Sequence, residues 1–410
     1  MNGEPVWLQE RRSLAAERAL DLGLPSQKQE IWKYTSAARF LLDDDISAIG
    51  PVDSSTLSFL DNSPESSDAP VLELLDGHTL TDSVELPSGA FFGTFASALS
   101  DPLLAAVIEK HLATLDPKDQ ALYAWSLAHF QTGLLLHVPA EVQLATQLTL
   151  IHRRSSSASP AWTRVLVVLG TGAAAQLVEL HEGDEGASHR SLTVTEIVLE
   201  RDSSLAHGRL GLQAQEDISW SATLVHQGTN SRYAGHAAQL GAAYARNEFS
   251  IVLAEPEAEC SLKGIFRPDA SRHHDIQTMI DHAAPNCRSE QVVKGVLDGN
   301  SSGVFHGRVY VRPGAKGTRA FQSNRNLLLS RKAQVYSRPQ LEIENDDVKA
   351  SHGSATGNLD EKALFFLRAR GFSLASARAV LIRAFLQEVA ESLPWEDLRR
   401  RVHHLLGGEE

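Results

Sequence analysis

The run Val165-Leu-Val-Val-Leu-Gly-Thr-Gly-Ala-Ala-Ala-Gln-Leu-Val-Glu-Leu180, followed by Leu192-Thr-Val-Thr-Glu-Ile-Val-Leu199, decides the fold class. Val165–Leu169 and Leu177–Leu180 are short apolar segments separated by glycines, so each reads as a strand. Gly170-Thr-Gly-Ala-Ala-Ala175 imitates a dinucleotide fingerprint. That site needs a helix to follow, whose N-terminal amides meet the pyrophosphate. Here Ala173–Glu182 is interrupted at Gly183-Asp-Glu-Gly186 and reads as another strand, so the glycines make a strand-to-strand turn. The same texture runs from about Gly133 to Ala350, with strand-like Leu134–Val138, Leu148–His152, Phe249–Leu253, Val309–Val311, Leu327–Leu329, Val335–Ser337 and Leu341–Ile343. No convincing amphipathic helix interrupts it, which excludes a βαβ parallel sheet. A sandwich, a barrel and a β-helix remain. Tight hairpin signals are scarce, Asp298-Gly299 being the one in this region. A meander needs more of them, whereas a wound solenoid pairs each strand with the coil below, so the pattern favours a β-helix. No exact internal repeat is present.

Both ends of the chain read as helical. Trp7, Leu8, Leu14, Ala15, Arg18 and Leu22 fall roughly on one helical face, and Gly23 then Pro25 stop it. Gln29–Leu42 resumes helical character, and Asp43–Ala69, rich in Asp, Ser and Pro, reads as a linker. Val71–Leu75 is a short strand. Pro102–Leu115 and Lys118–Phe130 are helical, with Leu103, Val107, Ile108 and Leu112 on one face of the first. After Ala350 a helix over Glu361–Arg370 ends at Gly371, and Ser373 caps the next, striped by Ala377, Val380, Leu381, Ala384, Phe385 and Val389. Pro394 opens a last helix carrying Leu398, Val402, Leu405 and Leu406, closed by Gly407-Gly408. The expected domains are a helical and mixed segment 1–130, a β core 131–350 and a helical segment 351–410.

Composition narrows the function. The chain has 410 residues, with 38 Lys and Arg against 51 Asp and Glu, a formal charge of −13. Segment 351–410 is electrically balanced, so the excess acid lies upstream. Nucleic-acid binders need a basic stripe, and none is present. Two cysteines, Cys260 and Cys287, make neither a disulfide scaffold nor a closed zinc site, and suit a reducing cytosol. The N-terminus reaches charges too soon for a signal peptide, and the most apolar run, Val165–Val178, is too short and broken to span a bilayer. The expectation is a cytoplasmic protein that binds neither nucleic acid nor membrane.

Two segments could carry chemistry. His273, His274, His282 and Cys287 lie within fifteen residues, and imidazole with thiolate suits iron or zinc. The same residues equally suit core and turn positions of a solenoid, with Cys287 as a small buried hydrophobe. Asp346-Asp-Val-Lys-Ala-Ser-His-Gly353 places two carboxylates and His352 where strand is expected to give way to helix. Such a group does acid–base work or binds metal, or is a solvated turn with a helix cap. No GxSxG elbow is present, and Gly314-Ala-Lys-Gly-Thr318 has the wrong spacing for a phosphate loop.

Several ordered motifs resemble the SufB/SufD family of the SUF iron–sulfur cluster assembly machinery. They are Glu30-Ile-Trp-Lys-Tyr-Thr35, Asn286-Cys-Arg-Ser-Glu-Gln291, Gly303-Val-Phe-His-Gly307, Arg325-Asn-Leu-Leu-Leu-Ser330, Ser337-Arg-Pro-Gln-Leu-Glu-Ile343, Asp346-Asp-Val-Lys349, Ser351-His-Gly353 and Leu364-Phe-Phe-Leu-Arg-Ala-Arg-Gly371. Asn324-Arg-Asn-Leu-Leu-Leu-Ser330 and the His-Gly pair at 352–353 are more similar to SufD members than to SufB members. The resemblance implies a right-handed parallel β-helix flanked by helical N- and C-terminal domains, with no catalytic activity of its own. It implies pairing with a SufB-like subunit at one end of the β-helix and docking of a SufC-like ATPase by the C-terminal helices. The stripe at 377–389 fits such a docking module, as it fits simple core packing. The resemblance also implies no tightly bound cofactor, but a transient iron–sulfur cluster in the complex, with His352 as a ligand at the SufB interface and Cys287 and His282 as weaker candidates. One departure is Ala350, where the family commonly has cysteine. The exposed strand edges of a β-helix also make a homodimer plausible for the isolated chain. The rival readings are a stand-alone metal-binding β-helix protein and a β-helix enzyme such as a lyase or acyltransferase. The lyase lacks an export signal here, and the acyltransferase lacks its six-residue repeat.

Overall fold

The computed structural model describes residues 4–41, 70–155, 160–186 and 188–405; the linker expected at 43–69 and the Leu406-Gly407-Gly408 stop lie outside them. The chain enters the β region through β1 (Val71–Leu75), β2 (His78–Thr79), β3 (Ser83–Val84) and β4 (Phe91–Thr94). It then winds a β-solenoid of about eight turns. The strands are β5 (Thr132–Val138), β6 (Gln143–Arg154), β7 (Ala161–Leu169), β8 (Ala174–Gly183), β9 (Arg190–Leu199), β10 (Ser204–Leu212), β11 (Ile218–Gln227) and β12 (Arg232–Gln239). There follow β13 (Tyr244–Leu253), β14 (Glu259–Phe266), β15 (His273–His282), β16 (Arg288–Leu297), β17 (Ser302–Val311), β18 (Thr318–Leu328), β19 (Gln334–Ile343) and β20 (Val348–Asn358). Odd strands from β5 onward stack in parallel in one sheet, and even strands from β6 onward in the other.

Each coil is one odd and one even strand, and the turn between them changes sheet. The Gly170–Ala173 turn joins β7 to β8 in this way. The expected hairpin at Asp298-Gly299 is instead such a corner, between β16 and β17 in different sheets, with Gly299 at φ +64°. A Cβ there would meet the Ala270 backbone at 2.8 Å, so glycine is needed for the coil-to-coil approach as well as the dihedral.

Register runs one-to-one between coils, so inward residues form rows through the lumen. Near one edge these rows are apolar: Leu148, Leu150, Leu177, Val165, Val167 and Ile197 are buried there. Farther along the strands they turn polar, with His152, Glu179, His207 and Asn247 buried. Polar lumen rows disguise the strands that carry them, which is why β15 and β20 lack an apolar alternation in the sequence.

The outer face of the odd sheet is covered by α1 (Val6–Leu22), α2 (Phe95–Ala98), α3 (Pro102–His111) and α4 (Ala121–His129). Their core includes Trp162, Leu166, Val194 and Trp220 from the sheet. In α1 the buried face is Leu8, Ala15 and Ala19; Leu14, expected on it, is 65% exposed. In α3 Ile108 is buried, and Leu112, its C-cap, is buried with it, whereas Leu103 is 79% exposed. The helix expected over Gln29–Leu42 is absent from its described part. Two 3₁₀ turns, Glu30–Trp32 and Ala37–Arg39, stand there instead. The sheet takes the backbone and side-chain groups a helix would have used differently: Arg246 Nη1 donates to the Ile31 carbonyl at 2.7 Å and Thr35 Oγ1 donates to Asp275 at 2.5 Å.

The outer face of the even sheet receives α5 (Glu361–Arg368), α6 (Leu374–Ala390) and α7 (Glu396–Leu405). Ile382, Leu386, Val389, Trp395 and Val402 pack on Val178, Leu210, Ile265 and Val292. At Gly208 a Cβ would come within 2.6 Å of the Trp395 ring, so glycine lets the helices seat this close. The boundary drawn at 350 falls inside β20, which runs to Asn358.

Candidate functional site

The two ends of the solenoid have different hydrogen-bonding states. At the first coil, β1 pairs in parallel with β6, and β4 pairs antiparallel with β5. At the last coil, among the described residues, β19 pairs only with β17 and β20 only with β18, so both carry a free edge. A free edge presents unpaired N–H and C=O groups to another chain.

His352 lies in the middle of β20, not at a strand-to-helix junction. Gln291, Gln322 and His352 occupy one register row, and Ala320 stands opposite Ala350. Val348 and Ala350 pack against the lumen core, and period-two alternation puts His352 on the same inward side. No further coil covers it, so His352 is exposed at an open mouth. Ala350 is its same-face neighbour, so a cysteine there would aim into the same mouth. Asp346 and Asp347 sit in the corner before β20, roughly 16 Å or more along the strand at ~3.3 Å per residue. They form no cluster with His352.

The rim is braced from the N-terminal segment. Tyr34 stacks on Tyr336 of β19 with centroids 4.0 Å apart, and Glu30 pairs with Arg338. Below them Arg246, wholly buried, binds Glu248 at 2.6 Å and Asp275 at 2.7 Å and lies over the Trp32 ring. The Glu30–Thr35 motif therefore ties the N-terminus to the outer face of the later coils.

The segment 273–287 is spread out by its strand. His273 faces outward, with Nε2 at 2.9 Å from Thr35 Oγ1 and Nδ1 at 2.7 Å from Ser302 Oγ. His274 faces inward, Nε2 at 3.1 Å from the Ala242 carbonyl, and burial pushes it down to about 3. His282, at the far end of the same strand, bonds Ser289 Oγ at 2.8 Å, and burial pushes it down to about 4. Cys287 donates to the Glu255 carbonyl at 3.3 Å, and burial raises its thiol. The structure does not gather these side chains around one point. Among the described residues, three metal-capable side chains come within 4.8 Å of one another at His152, Glu179 and His181. The sequence reading missed them; His152 and His181 stand opposite each other on consecutive even strands, a signal visible only once register is known.

The C-terminal stripe divides. Of its six residues only Ala377 and Val389 are buried, Val380, Leu381 and Phe385 are half-buried and Ala384 is exposed, because the face that packs on the solenoid runs instead through Ala377, Ile382, Leu386 and Val389. Exposed apolar surface lies instead on α5 and its turn: Phe365 is 75% exposed, and Phe366, Phe372 and Leu374 are exposed beside it.

Fold and site together define a β-solenoid that is closed by its own chain at one end and open at the other. Residues 152–385 match the family described as "SUF system FeS cluster assembly, SufBD core domain", and the chain belongs to that family. It is 28% identical to the chloroplastic protein ABCI7 of Arabidopsis thaliana, over 98% of this chain and 86% of that one. It is 27% identical to the iron–sulfur cluster assembly protein SufD of Escherichia coli, over 95% and 90% respectively. With SufD of Bacillus subtilis it shares 24% identity over 97% and 93%. No helix among the described residues is long and apolar enough to cross a membrane.

Proposed function

We propose that this chain is a non-catalytic scaffold subunit of cytoplasmic iron–sulfur cluster assembly. The open last coil carries the reading: two free strand edges flank an exposed inward histidine, which is what a partner-completed site requires. A SufB-like subunit extends both sheets through β19 and β20. His352 then supplies one imidazole to a nascent cluster, which is cargo rather than a resident cofactor. Because Ala350 offers no thiolate, the cysteine and carboxylate ligands come from the partner. Cys287 is not such a ligand in this reading, since its sulfur is already engaged and lies away from the mouth. A SufC-like ATPase docks on Phe365, Phe366, Phe372 and Leu374, where the helices leave apolar surface uncovered. Without a partner, the same edges support a homodimer.

Co-expression with SufB- and SufC-like subunits from the same source tests the pairing, read by size exclusion with mass determination. One complex containing all three is expected; a chain that elutes without either partner overturns the reading. Within that complex His352→Ala is expected to lower reconstituted cluster yield at least tenfold with the complex intact. An unchanged yield removes His352 as a ligand.

A further inference from the structure

Glu179 lies in the lumen, far from solvent, at the centre of a histidine group. Its Oε1 accepts from His207 Nε2 at 2.8 Å and from Thr195 Oγ1 at 2.9 Å, and its Oε2 is 3.3 Å from His152 Nε2. His181 is 2% exposed, and its Nε2 stands 3.9 Å from Glu179 Oε2 with no hydrogen-bond partner. A buried imidazole nitrogen without a partner is costly unless something engages it. A small cavity of about 10 Å³ touches His152 and His181, on the side away from Glu179 and beside Arg153 and Arg154, room for about one water.

We propose that His152, Glu179 and His181 form a binding site for one divalent first-row metal ion inside the solenoid, separate from the His352 mouth. Two imidazoles and one carboxylate with a water in the fourth position is a donor set that suits Zn²⁺ or Fe²⁺. Ligand atoms about 2.0–2.2 Å from one ion in a tetrahedral site lie roughly 3.3–3.5 Å apart. The His152–Glu179 pair already has that spacing, and His181 must close by about half an ångström. The two rings now stack in parallel, 4.2 Å between centroids, because their strands are in register. One ring turns to bring both lone pairs onto the ion. Arg209, on the next even strand, is buried and carries a positive charge that weakens the site. The inference stands whether or not the chain pairs with a SufB-like subunit.

The full chain is unfolded in chelator, refolded with one equivalent of Co²⁺ as the probe, and passed through gel filtration. Refolding loads the buried site without requiring an entry path. Wild type and His352→Ala are expected to retain about one Co²⁺ per chain, with visible absorption of four- or five-coordinate nitrogen and oxygen ligation. His181→Ala and the near-isosteric Glu179→Gln are expected to bind at least tenfold more weakly. Glu179→Gln, which preserves volume, covers the case in which His181→Ala does not refold. Loss of Co²⁺ from wild type on the column overturns the site. So does retention by refolded Glu179→Gln equal to wild type, or loss in His352→Ala alone.

Discussion

The first and last coils of the solenoid are built from the same kind of strand yet end differently. At the first, β1 and β4 occupy the edges of β6 and β5, and helices seal the odd sheet down to Trp162 and Leu166. At the last, β19 and β20 are left half-paired, β20 mostly exposed and β19 mostly half-buried. A closed end costs extra chain and gives stability; an open end keeps hydrogen-bonding capacity in reserve for another protein. The difference predicts where substitutions damage the fold and where they damage only association.

The largest loss is expected at the sealed end. Arg164, fully buried, pairs with Asp116 and Glu196, each at 2.7 Å. Arg164→Ala leaves two carboxylates buried beside each other and is expected to cost about 3–5 kcal/mol in urea unfolding. A loss under 1 kcal/mol would mean the closed end is not what holds the early coils. Next comes acid. His274 and His282 are neutral in the fold, pushed down to about 3 and about 4 by burial, against an ordinary 6.5. The unfolded chain takes up these protons first, so their contribution is full above pH 6.5 and falls as pH drops toward the folded values. Between pH 7.5 and 5.5 they remove on the order of 1 kcal/mol each. A flat profile over that range contradicts their burial.

Smaller effects belong to the open end and the exposed helices. Phe366→Glu should weaken binding of the SufC-like ATPase at least tenfold, about 1.4 kcal/mol, read by calorimetry. Its melting temperature should not move, because Phe366 packs on nothing that holds the fold. Ile343→Lys puts a charge on the free edge of β19, where Ile343 is 41% exposed. It should reduce association of the chain with itself or a SufB-like partner severalfold by sedimentation, with the monomer intact. Least of all, His352→Ala should change the unfolding free energy of the isolated chain by under about 0.5 kcal/mol. A larger change would show that His352 supports the fold and would remove the basis for treating the mouth as reserved for a partner.

Much of the architecture was legible in the residues. Val165–Leu169, Gly170–Gly172 and Leu177–Leu180 declared strand, corner, strand, and Ser373 declared the cap it makes, accepting from the Ser376 amide at 3.0 Å. Misreadings came where a distant surface competed with a local pattern. Gln29–Leu42 reads as helical, but the Arg246 and Asp275 network on the sheet holds its described part in short turns. The 377–389 stripe has the look of a docking face, yet the even sheet takes a rotated face of the helix, through Ile382 and Leu386, and leaves Phe365 and Phe366 outside.

Hydrophobic spacing and turn residues are local properties, so the sequence by itself determined the β core and the helical ends. Register is not local: it is set when coils stack, and a slip of one residue sends every side chain to the opposite face. Only the tertiary structure could therefore scatter His273, His274, His282 and Cys287 along one strand and corner. Only it could bring His152 and His181 together around Glu179 from strands 27 to 29 residues apart in the chain. The same stacking left the outer edge of the last coil unpaired, because pairing energy depends on which strand arrives next, and among the described residues none arrives beyond β19 or β20.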